Sequence, residues 1–549
     1  WPCKNEGEDA RLYEAVQAIS EFAIDLGINV PTGKDSLSMK QKYPNEEVIS
    51  PGTVIISAAA NCNDITKVIE PVFQKNAGNI YYINISQDHF KLGGSSFAQI
   101  NNKIGISTPN VKSAEYVKTV FNTIQGLIKD EQIVAGHDVA SGGLITTLLE
   151  LCFADNNLGA ELDITALNQK NSFKVLFAEN SGIVFQSKDS SIETILKNSN
   201  IEFFNIGKVT ESDVLSIINH SDVFTMTVSR LRDMWYKTSY LLDQKQTANG
   251  LAKDRFDNYK NQPLQFTFPS HFTGKLEDIL SGRAQSRPLE YLSTALEETR
   301  VKPKAAILRE KGSNSEREMA NAMYLAGFDV KDVHMTDLIS GRETLEDIQF
   351  IGAVGGFSNS DVLGSAKGWA GAFKYNEKAN TALKKFFERD NTLSVGICNG
   401  AQLWMELDLV NPEHEVHGKL TYNDSHKHES SFTSVKIQDN NSVMLSSLAG
   451  TTLGVWISHG EGKFSLPYAE DKYNIVAKYG YAGYPHNPNG SEFNTAMMCD
   501  KSGRHLVTMP HIERSTFQWN WANYPDGRKD EVSPWLEAFV NARQWIENN

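Results

Sequence analysis

TLSVGICNGAQLW, residues 392–404, places a cysteine between an apolar run and a helix-like segment, with Gly396 two residues before it and Gly400 two after. One backbone geometry that wants this pattern is a nucleophile elbow, in which a strand ends in a sharp turn and the apical residue projects into a cleft. Glycines let the backbone cross closely there and tolerate the strain. The spacing predicts a buried parallel strand over Leu393–Ile397, Cys398 at the apex and a helix over Ala401–Leu407. The amino end of that helix carries partial positive charge, which favours thiolate over thiol. The competing reading is a buried cysteine that acts as a small hydrophobe in the turn. Partners for Cys398 decide between the two.

The surrounding sequence supplies a sheet for the elbow. From Lys304 apolar strands alternate with helical segments: KAAILRE (304–310), SEREMANAMYLAGF (315–328), DVKDVHM (329–335), FIGAVGGFS (350–358), ANTALKKFFER (379–389) and TLSVGIC (392–398). This alternation predicts an α/β fold with a doubly wound, flavodoxin-like parallel sheet, whose ligand sites lie at the carboxyl ends of the strands. Cys398 sits at such an end.

Near the carboxyl terminus, HLVTMPHIERS (505–515) reads as a strand leading into His511, with Glu513 two residues on. In extended backbone residues i and i+2 share a face, so the carboxylate can orient the imidazole. Cys398, His511 and Glu513 then make a cysteine–histidine–glutamate set; a solvated surface pair is the competing reading of His511 and Glu513. In GAVGGFSNSDVLGSAKGW (352–369), Gly355 and Gly356 follow a strand, where free N–H groups can point at a developing oxyanion. The N–H of Asn399, next after the cysteine, is the second donor.

Length and composition set bounds. At 549 residues the chain exceeds a single core, and about three domains are expected. An apolar content of 40%, with 39 glycines and 17 prolines, is ordinary for a globular α/β protein and leaves no low-complexity tract. A net charge of −14 without a basic run argues against a nucleic-acid surface or an anionic membrane as the main partner. Small polar substrates fit better. The five cysteines (Cys3, Cys62, Cys152, Cys398, Cys499) are scattered without metal-type or disulfide-type spacing, which points to a reducing cytoplasm. No apolar run reaches the ~18 residues of a membrane span and no charged-then-apolar leader is visible, so a soluble, cytoplasmic chain is expected. Its opening, WPCKNEGEDARLYEAV, lacks an initiator methionine and starts inside an element; a fragment of a longer protein is expected.

Upstream of Lys304, helical periodicity over residues 10–26 (Leu12, Ala15, Val16, Ile19, Phe22, Ala23, Leu26) leads into the loop VPTGKDSLSMK (30–40) and an apolar strand TVIISAAA (53–60). A second unit follows, with strand NIYYINIS (79–86), loop LGGSS (92–96), a helix over about 113–128, and VAGHDVASGGLITTLLELCFADNNLGAEL (134–162) as strand, glycine-rich turn and helix. Residues 226–302 are mixed and charged, with Pro263, Pro269 and Pro288 as breakers and Pro303 just beyond, and read as an interdomain linker. The expected domains are therefore 1–70, 71–225 and 303–549.

Together these motifs resemble the large-type formylglycinamide ribonucleotide amidotransferases, or phosphoribosylformylglycinamidine synthases. GGFSNSDVLGSAKGWA (355–370), GICNGAQ (396–402), SHGEGKF (458–464), NPNGS (487–491) and MPHIER (509–514) are similar to that family's class I glutamine amidotransferase domain. GEDARLYEAV (7–16), GKDSLSM (33–39) and HDVASGGLITTLLELCFA (137–154) are similar to the second half of its α+β synthetase domain, with residues 1–70 ending an A-type subdomain and 71–225 forming a B-type one.

The resemblance implies ATP- and glutamine-dependent conversion of formylglycinamide ribonucleotide to its amidine in purine biosynthesis. Residue by residue, it implies that Cys398 attacks the glutamine carboxamide, His511 moves protons and Glu513 holds His511. Gly355, Gly356, Phe357, Asn399, Gln402 and His459 would bind glutamine or the oxyanion, and NDSHKHESSF (423–432) would help position it. In the synthetase part Asp138 would coordinate Mg2+ at bound ATP, with Lys34, Asp35 and Ser141 on the nucleotide. The loop holding Lys34 is not a Walker A loop, because the first glycine and its spacing are absent. Where the family often has serine and aspartate before the two glycines, this chain has Ala140 and Ser141, which removes one hydrogen bond to nucleotide. The implied partner is the family's upstream half, whose full enzyme could also hold a structural ADP. Two other functions compete: a cysteine hydrolase on the same scaffold, which has no use for residues 1–225, and an inactive interaction module, against which the intact Cys398, His511 and Glu513 count.

Overall fold

A computed structural model of the protein describes residues 1–65, 67–155, 157–261, 265–281, 302–481, 483–525 and 527–549. They divide into two compact units, Trp1–Tyr236 and Lys237–Asn549.

In the first unit β1 (Lys40–Lys42) pairs with β2 (Glu47–Ile49). A separate sheet contains β3 (Asn79–Asn84), β4 (Ile133–Val139), β5 (Gly159–Asp163), β6 (Gly182–Ser187), β7 (Phe204–Thr210), β8 (Val214–Asn219) and β9 (Asp222–Thr227). Its order is β4-β6-β3-β7-β5-β8-β9, with only β5 and β8 parallel. Successive side chains of a strand point to opposite faces, and both faces of β3 are covered. Tyr81 and Ile83 enter a core with Val120, Ile124 and Leu127 of helix Ala114–Lys129. Ile80 and Tyr82 enter another with Leu144, Leu148 and Leu151 of helix Gly143–Phe153. That is why β3 reads as a continuous apolar run.

Residues 1–65 differ. Helix Glu8–Leu26 forms as its periodicity predicts but buries none of its residues. The strand expected over 53–60 does not form, and Ile55 and Ile56 are 84% and 62% exposed. A strand needs a neighbouring strand for its N–H and C=O groups, and among the described residues no strand pairs with this segment; Thr53 O takes only the Trp1 indole N–H, at 2.9 Å. The stretch expected as a linker is folded where it is described: helices Val228–Asp243, Leu251–Asn258 and Leu276–Ser281 occupy it, and Phe272 and Ile279 join the second unit's core. Residues 262–264 and 282–301 of that stretch lie outside the described residues.

The second unit is built on β10 (Lys304–Arg309), β11 (Asp329–His334), β12 (Phe350–Ala353), β13 (Leu393–Ile397), β15 (Glu429–Ile437), β16 (Thr452–His459), β18 (Asn474–Tyr479), β19 (Thr495–Cys499) and β20 (His505–Thr508), with β14 (Lys419–Thr421) and β17 (Lys463–Ser465) paired apart. The nine-stranded order is β11-β10-β12-β13-β20-β19-β18-β15-β16. The first five strands are mutually parallel, in the order of a doubly wound flavodoxin-like sheet. The remaining pairings are antiparallel, so the expected parallel sheet is the half that carries the elbow, extended by an antiparallel half. All five residues of β13 are buried, as a strand covered by helices on both faces requires.

Candidate active site

β13 ends at Ile397, and Cys398 turns the chain with φ +54° and ψ −106° into helix Asn399–Glu406. That backbone costs a non-glycine residue of order 1–3 kcal/mol and is held by the Cys398 N–H, which donates to Thr508 O of neighbouring β20 at 2.8 Å. Gly400 is required by packing: a Cβ there would lie 2.1 Å from Ala353 O of β12. The glycine after the cysteine thus lets the helix press on the sheet while Cys398, 5% exposed, faces a cleft.

His511 and Glu513 follow β20, although not in the extended backbone expected of them. His511 caps a one-turn 3-10 helix, Ile512–Arg514, and its N–H is fixed to Trp456 O at 2.8 Å. The side chains still meet, with Nδ1 of His511 2.6 Å from Oε1 of Glu513 and both residues 2% exposed. Burial opposes charge on His511, but the Glu513 carboxylate and hydrogen bonds to Cys398 and Glu513 outweigh it and raise the imidazole to about 10. Burial likewise opposes charge on Glu513, and His511 overrides it to hold the carboxyl below its usual range. The buried pair lies in contact with Cys398, and each partner favours the charged form of the other. Gly355 makes the contact possible: a Cβ there would lie 2.8 Å from His511 Cε1 and 3.4 Å from Cys398 Cβ.

The other expected residues surround this set. The Gly355 N–H reaches Ser315 Oγ only at 3.4 Å, that of Gly356 has no protein acceptor among the described residues, and that of Phe357 is engaged by Gly312 O at 2.9 Å. The Asn399 N–H lies ahead of the first helical bond, from Gln402 N–H to Cys398 O, and is one of the donors a helix start leaves over. The Asn399 and Gln402 side chains join loops: Asn399 Nδ2 donates to Gln402 Oε1 at 2.9 Å, Ser358 N–H donates to Asn399 Oδ1 at 3.2 Å and Gln402 Nε2 donates to Glu461 O at 2.6 Å. His459, at the end of β16, is 2% exposed with neither ring nitrogen hydrogen-bonded. Burial, then the charges on His511 and His428, push its imidazole down to about 3. A cleft of about 200 Å³ is lined by Gly356, Phe357, Cys398, Gln402 and His459 together with Asp361, Ser365, Tyr422, His428 and Glu461.

Residues 302–546 match the CobB/CobQ-like glutamine amidotransferase domain, residues 1–61 the FGAR-AT PurM_N-like domain and residues 86–219 the C-terminal domain of AIR synthase related protein. The probable phosphoribosylformylglycinamidine synthase, chloroplastic/mitochondrial, of Arabidopsis thaliana is 37% identical over 581 residues, covering 100% of this chain and 40% of that one. The phosphoribosylformylglycinamidine synthase of Homo sapiens is 35% identical over 594 residues, covering 99% and 42%. Over its whole length the chain is related to the phosphoribosylformylglycinamidine synthases. It spans about two fifths of the length of these curated relatives and resembles a carboxyl-terminal synthetase half followed by the amidotransferase domain. The structure of PurLQS from Thermotoga maritima overlaps 45% of this chain and 99% of that one, at 25% identity and a TM-score of 0.35. Likeness that runs through residues 1–61 and 86–219 gives the first unit a place that a stand-alone cysteine hydrolase would not.

In this relative of the synthases the residues expected in the synthetase half lie on open surface. Lys34, Asp35 and Ser141 are exposed, and Lys34 Nζ donates to Ser36 Oγ at 2.7 Å. The Asp138 side chain, at the end of β4, is 76% exposed, 3.4 Å from His137 Nδ1. Among the described residues no three ligating side chains gather, so they do not by themselves make a Mg2+ site. Asp361 and Glu461 are not singled out by sequence reasoning, although they lie within GGFSNSDVLGS (355–365) and SHGEGKF (458–464). The signal for them is an acidic residue just downstream of each glycine-bearing strand end.

Proposed function

We propose that this chain supplies the glutaminase and half of the synthetase of an enzyme that converts formylglycinamide ribonucleotide to formylglycinamidine ribonucleotide, consuming glutamine and ATP. The observation that carries the reading is the buried His511–Glu513 pair, 2.6 Å apart, against Cys398 at the strained end of β13. An amide is a poor electrophile with a poor leaving group, so hydrolysis needs a nucleophile, a proton donor and oxyanion stabilisation together. The Cys398 sulfur attacks the carboxamide carbon, and the N–H groups of Gly356 and Asn399 face the oxygen that gains charge. His511 gives its proton to the departing nitrogen, which leaves as ammonia, and a thioester remains. Water then attacks the thioester, His511 takes its proton, and glutamate leaves.

The ammonia is used where ATP has phosphorylated the amide oxygen of the ribonucleotide, displacing phosphate. Asp138 would be one ligand of a Mg2+ that neutralises the nucleotide phosphates there, and Lys34, Asp35 and Ser141 would take the nucleotide. A magnesium site of one or two carboxylates plus phosphate oxygens suits an isolated Asp138. The remaining groups come from an upstream half, which covers the apolar surface of Ile55 and Ile56. Five free thiols suit a reducing compartment, and we place the enzyme in the cytoplasm; among the described residues no helix is long and apolar enough to cross a membrane.

The test is a glutaminase assay of this chain with and without the upstream half. A glutamine-mimicking electrophile should label Cys398 alone, and Cys398→Ala should abolish labelling and glutamine hydrolysis while ammonia-dependent synthesis by the reconstituted enzyme survives. Hydrolysis retained by Cys398→Ala would overturn the assignment.

A further inference from the structure

The segment from Lys237 to Tyr259 lies outside all three matched domains, yet within the second unit it grips the loop that walls the Cys398 cleft. Tyr422, His426, Lys427 and His428 of that loop line the cleft. Asp243, which ends helix Val228–Asp243, accepts from Lys427 Nζ at 2.6 Å and from Arg255 Nη1 at 2.9 Å. Arg255, on helix Leu251–Asn258, also donates from Nη2 to Glu429 Oε2 at 2.6 Å and to the Tyr484 hydroxyl. That hydroxyl donates to Glu429 Oε1 at 2.9 Å. Between the two helices the Ala248 N–H donates to Ser425 O at 2.9 Å and Asn249 Nδ2 to Asp424 O at 2.7 Å. Burial opposes charge on Asp243, but hydrogen bonds from Lys427 and Thr247 and the Arg255 charge hold its carboxyl below its usual range.

An exposed ion pair contributes little, whereas this set is largely enclosed: the side chains of Asp243, Lys427, Arg255 and Glu429 are 12%, 19%, 22% and 7% exposed. Charge-assisted hydrogen bonds are the strong ones, and a guanidinium fork fixes direction as well as distance. Removing one partner of an enclosed pair leaves the other charge uncompensated, so the loop depends on the set being whole. The two anchored residues, Lys427 and Glu429, flank His428. His428 Nε2 lies 2.9 Å from Ser458 Oγ, and Ser458 O accepts the Cys398 S–H at 3.5 Å. Glu429 also stands opposite His459 in the pairing of β15 with β16. The grip on the loop thus reaches the cysteine through His428 and the end of β16.

We propose that Asp243 and Arg255 are positioning residues that clamp the wall of the Cys398 cleft, holding residues 423–429 against the end of β16. The proposal rests on the glutaminase reading of Cys398 and deepens it, because it adds working parts from outside the amidotransferase match. The cleft lining includes neither Asp243 nor Arg255, so their effect passes through Lys427, His428 and Glu429.

The experiment takes two readouts on the full chain: glutamine kinetics, and the rate at which iodoacetamide alkylates each cysteine, followed by mass spectrometry. Iodoacetamide lacks the amino-acid end of glutamine, so its reaction at Cys398 reports access to the cleft. Cys499, buried in the same unit, reports unfolding. Arg255→Gln should lower kcat/KM for glutamine by about 10- to 100-fold, mostly through KM, and should speed alkylation of Cys398 while Cys499 stays protected. Arg255→Lys, a point charge in place of a fork, should fall between. Asn249→Gly keeps a residue suited to the left-handed backbone there, φ +57°, deletes one bond to the loop, and should shift both readouts the same way by less. Cys398 and Cys499 opening together would show that Arg255 only keeps the unit folded, and would overturn the proposal. Unchanged readouts in Arg255→Gln and Asn249→Gly would overturn it as well. An unaltered chain that hydrolyses no glutamine overturns the glutaminase reading, while the ratio of Cys398 to Cys499 alkylation still upholds or overturns the clamp.

Discussion

Two short apolar runs in this chain, Leu393–Ile397 and Val54–Ile56, look alike as candidate strands and end up opposite. Every residue of the first is buried. In the second, Val54, Ile55 and Ile56 are 45%, 84% and 62% exposed. The first lies between β12 and β20, which accept its backbone pairing, under helices that cover both faces. No strand pairs with the second among the described residues. Apolar character states what a segment gains by burial; whether it is buried depends on a neighbour.

The closed region should fail through its chemistry most of all. His511→Ala is expected to lower glutamine turnover by ~10²–10⁴-fold, and Glu513→Gln by less, because the imidazole remains while its orientation is lost. Steady-state ammonia release would measure both, and a Glu513→Gln enzyme worse than His511→Ala would reverse the roles of the two residues.

Stability is the next and more direct way to break the comparison. Ile397→Ala should cost roughly 2–5 kcal/mol, and Ile55→Ala within about 0.5 kcal/mol, as for a surface site. Urea unfolding followed by the fluorescence of the buried Trp369, Trp404 and Trp535 reports the second unit, and circular dichroism reports the whole chain. A comparable cost at Ile55 would show that its segment is packed after all.

A further experiment sharpens the contrast from the open side. Nucleotide binding should be weak for this chain alone, tighten when the upstream half is added, and drop about tenfold, roughly 1.4 kcal/mol, when that pair carries Asp138→Asn. Calorimetry with Mg2+–ATP would show it, and tight binding by the chain alone would count against a shared site.

The smallest expected effect is on pH dependence. His511 is raised from 6.5 to about 10, so its stabilisation is fully present below pH 6.5 and is lost as pH rises through about 10. Glu513 is lowered from 4.5, so its part is present above pH 4.5 and is lost on acidification. His459, lowered from 6.5 to about 3, adds a further loss as pH falls from 6.5 towards 3. The melting temperature of the second unit should therefore decline from pH 6.5 to 10 in the unchanged chain and decline less in Glu513→Gln. Equal slopes in the two proteins would show that the ion pair does not set this pH dependence.

Local pattern by itself determined the alternation of strands and helices from Lys304, the elbow at Cys398 and a helix over residues 10–26, because periodicity and glycine placement act over a few neighbouring residues. It also brought His511 and Glu513 together, although the backbone between them is a 3-10 turn rather than a strand; two residues of separation suffice in either geometry. Only the tertiary structure decided that β15, β16, β18 and β19 extend the parallel sheet in antiparallel pairings, that the stretch after residue 226 folds into helices where it is described, and that Val54–Ile56 stay exposed. The same holds for Asp361 and Glu461, a hundred residues apart in sequence and joined through Ser365. Such pairings depend on which distant backbone and side-chain groups come to lie side by side, and spacing along the chain carries no record of that.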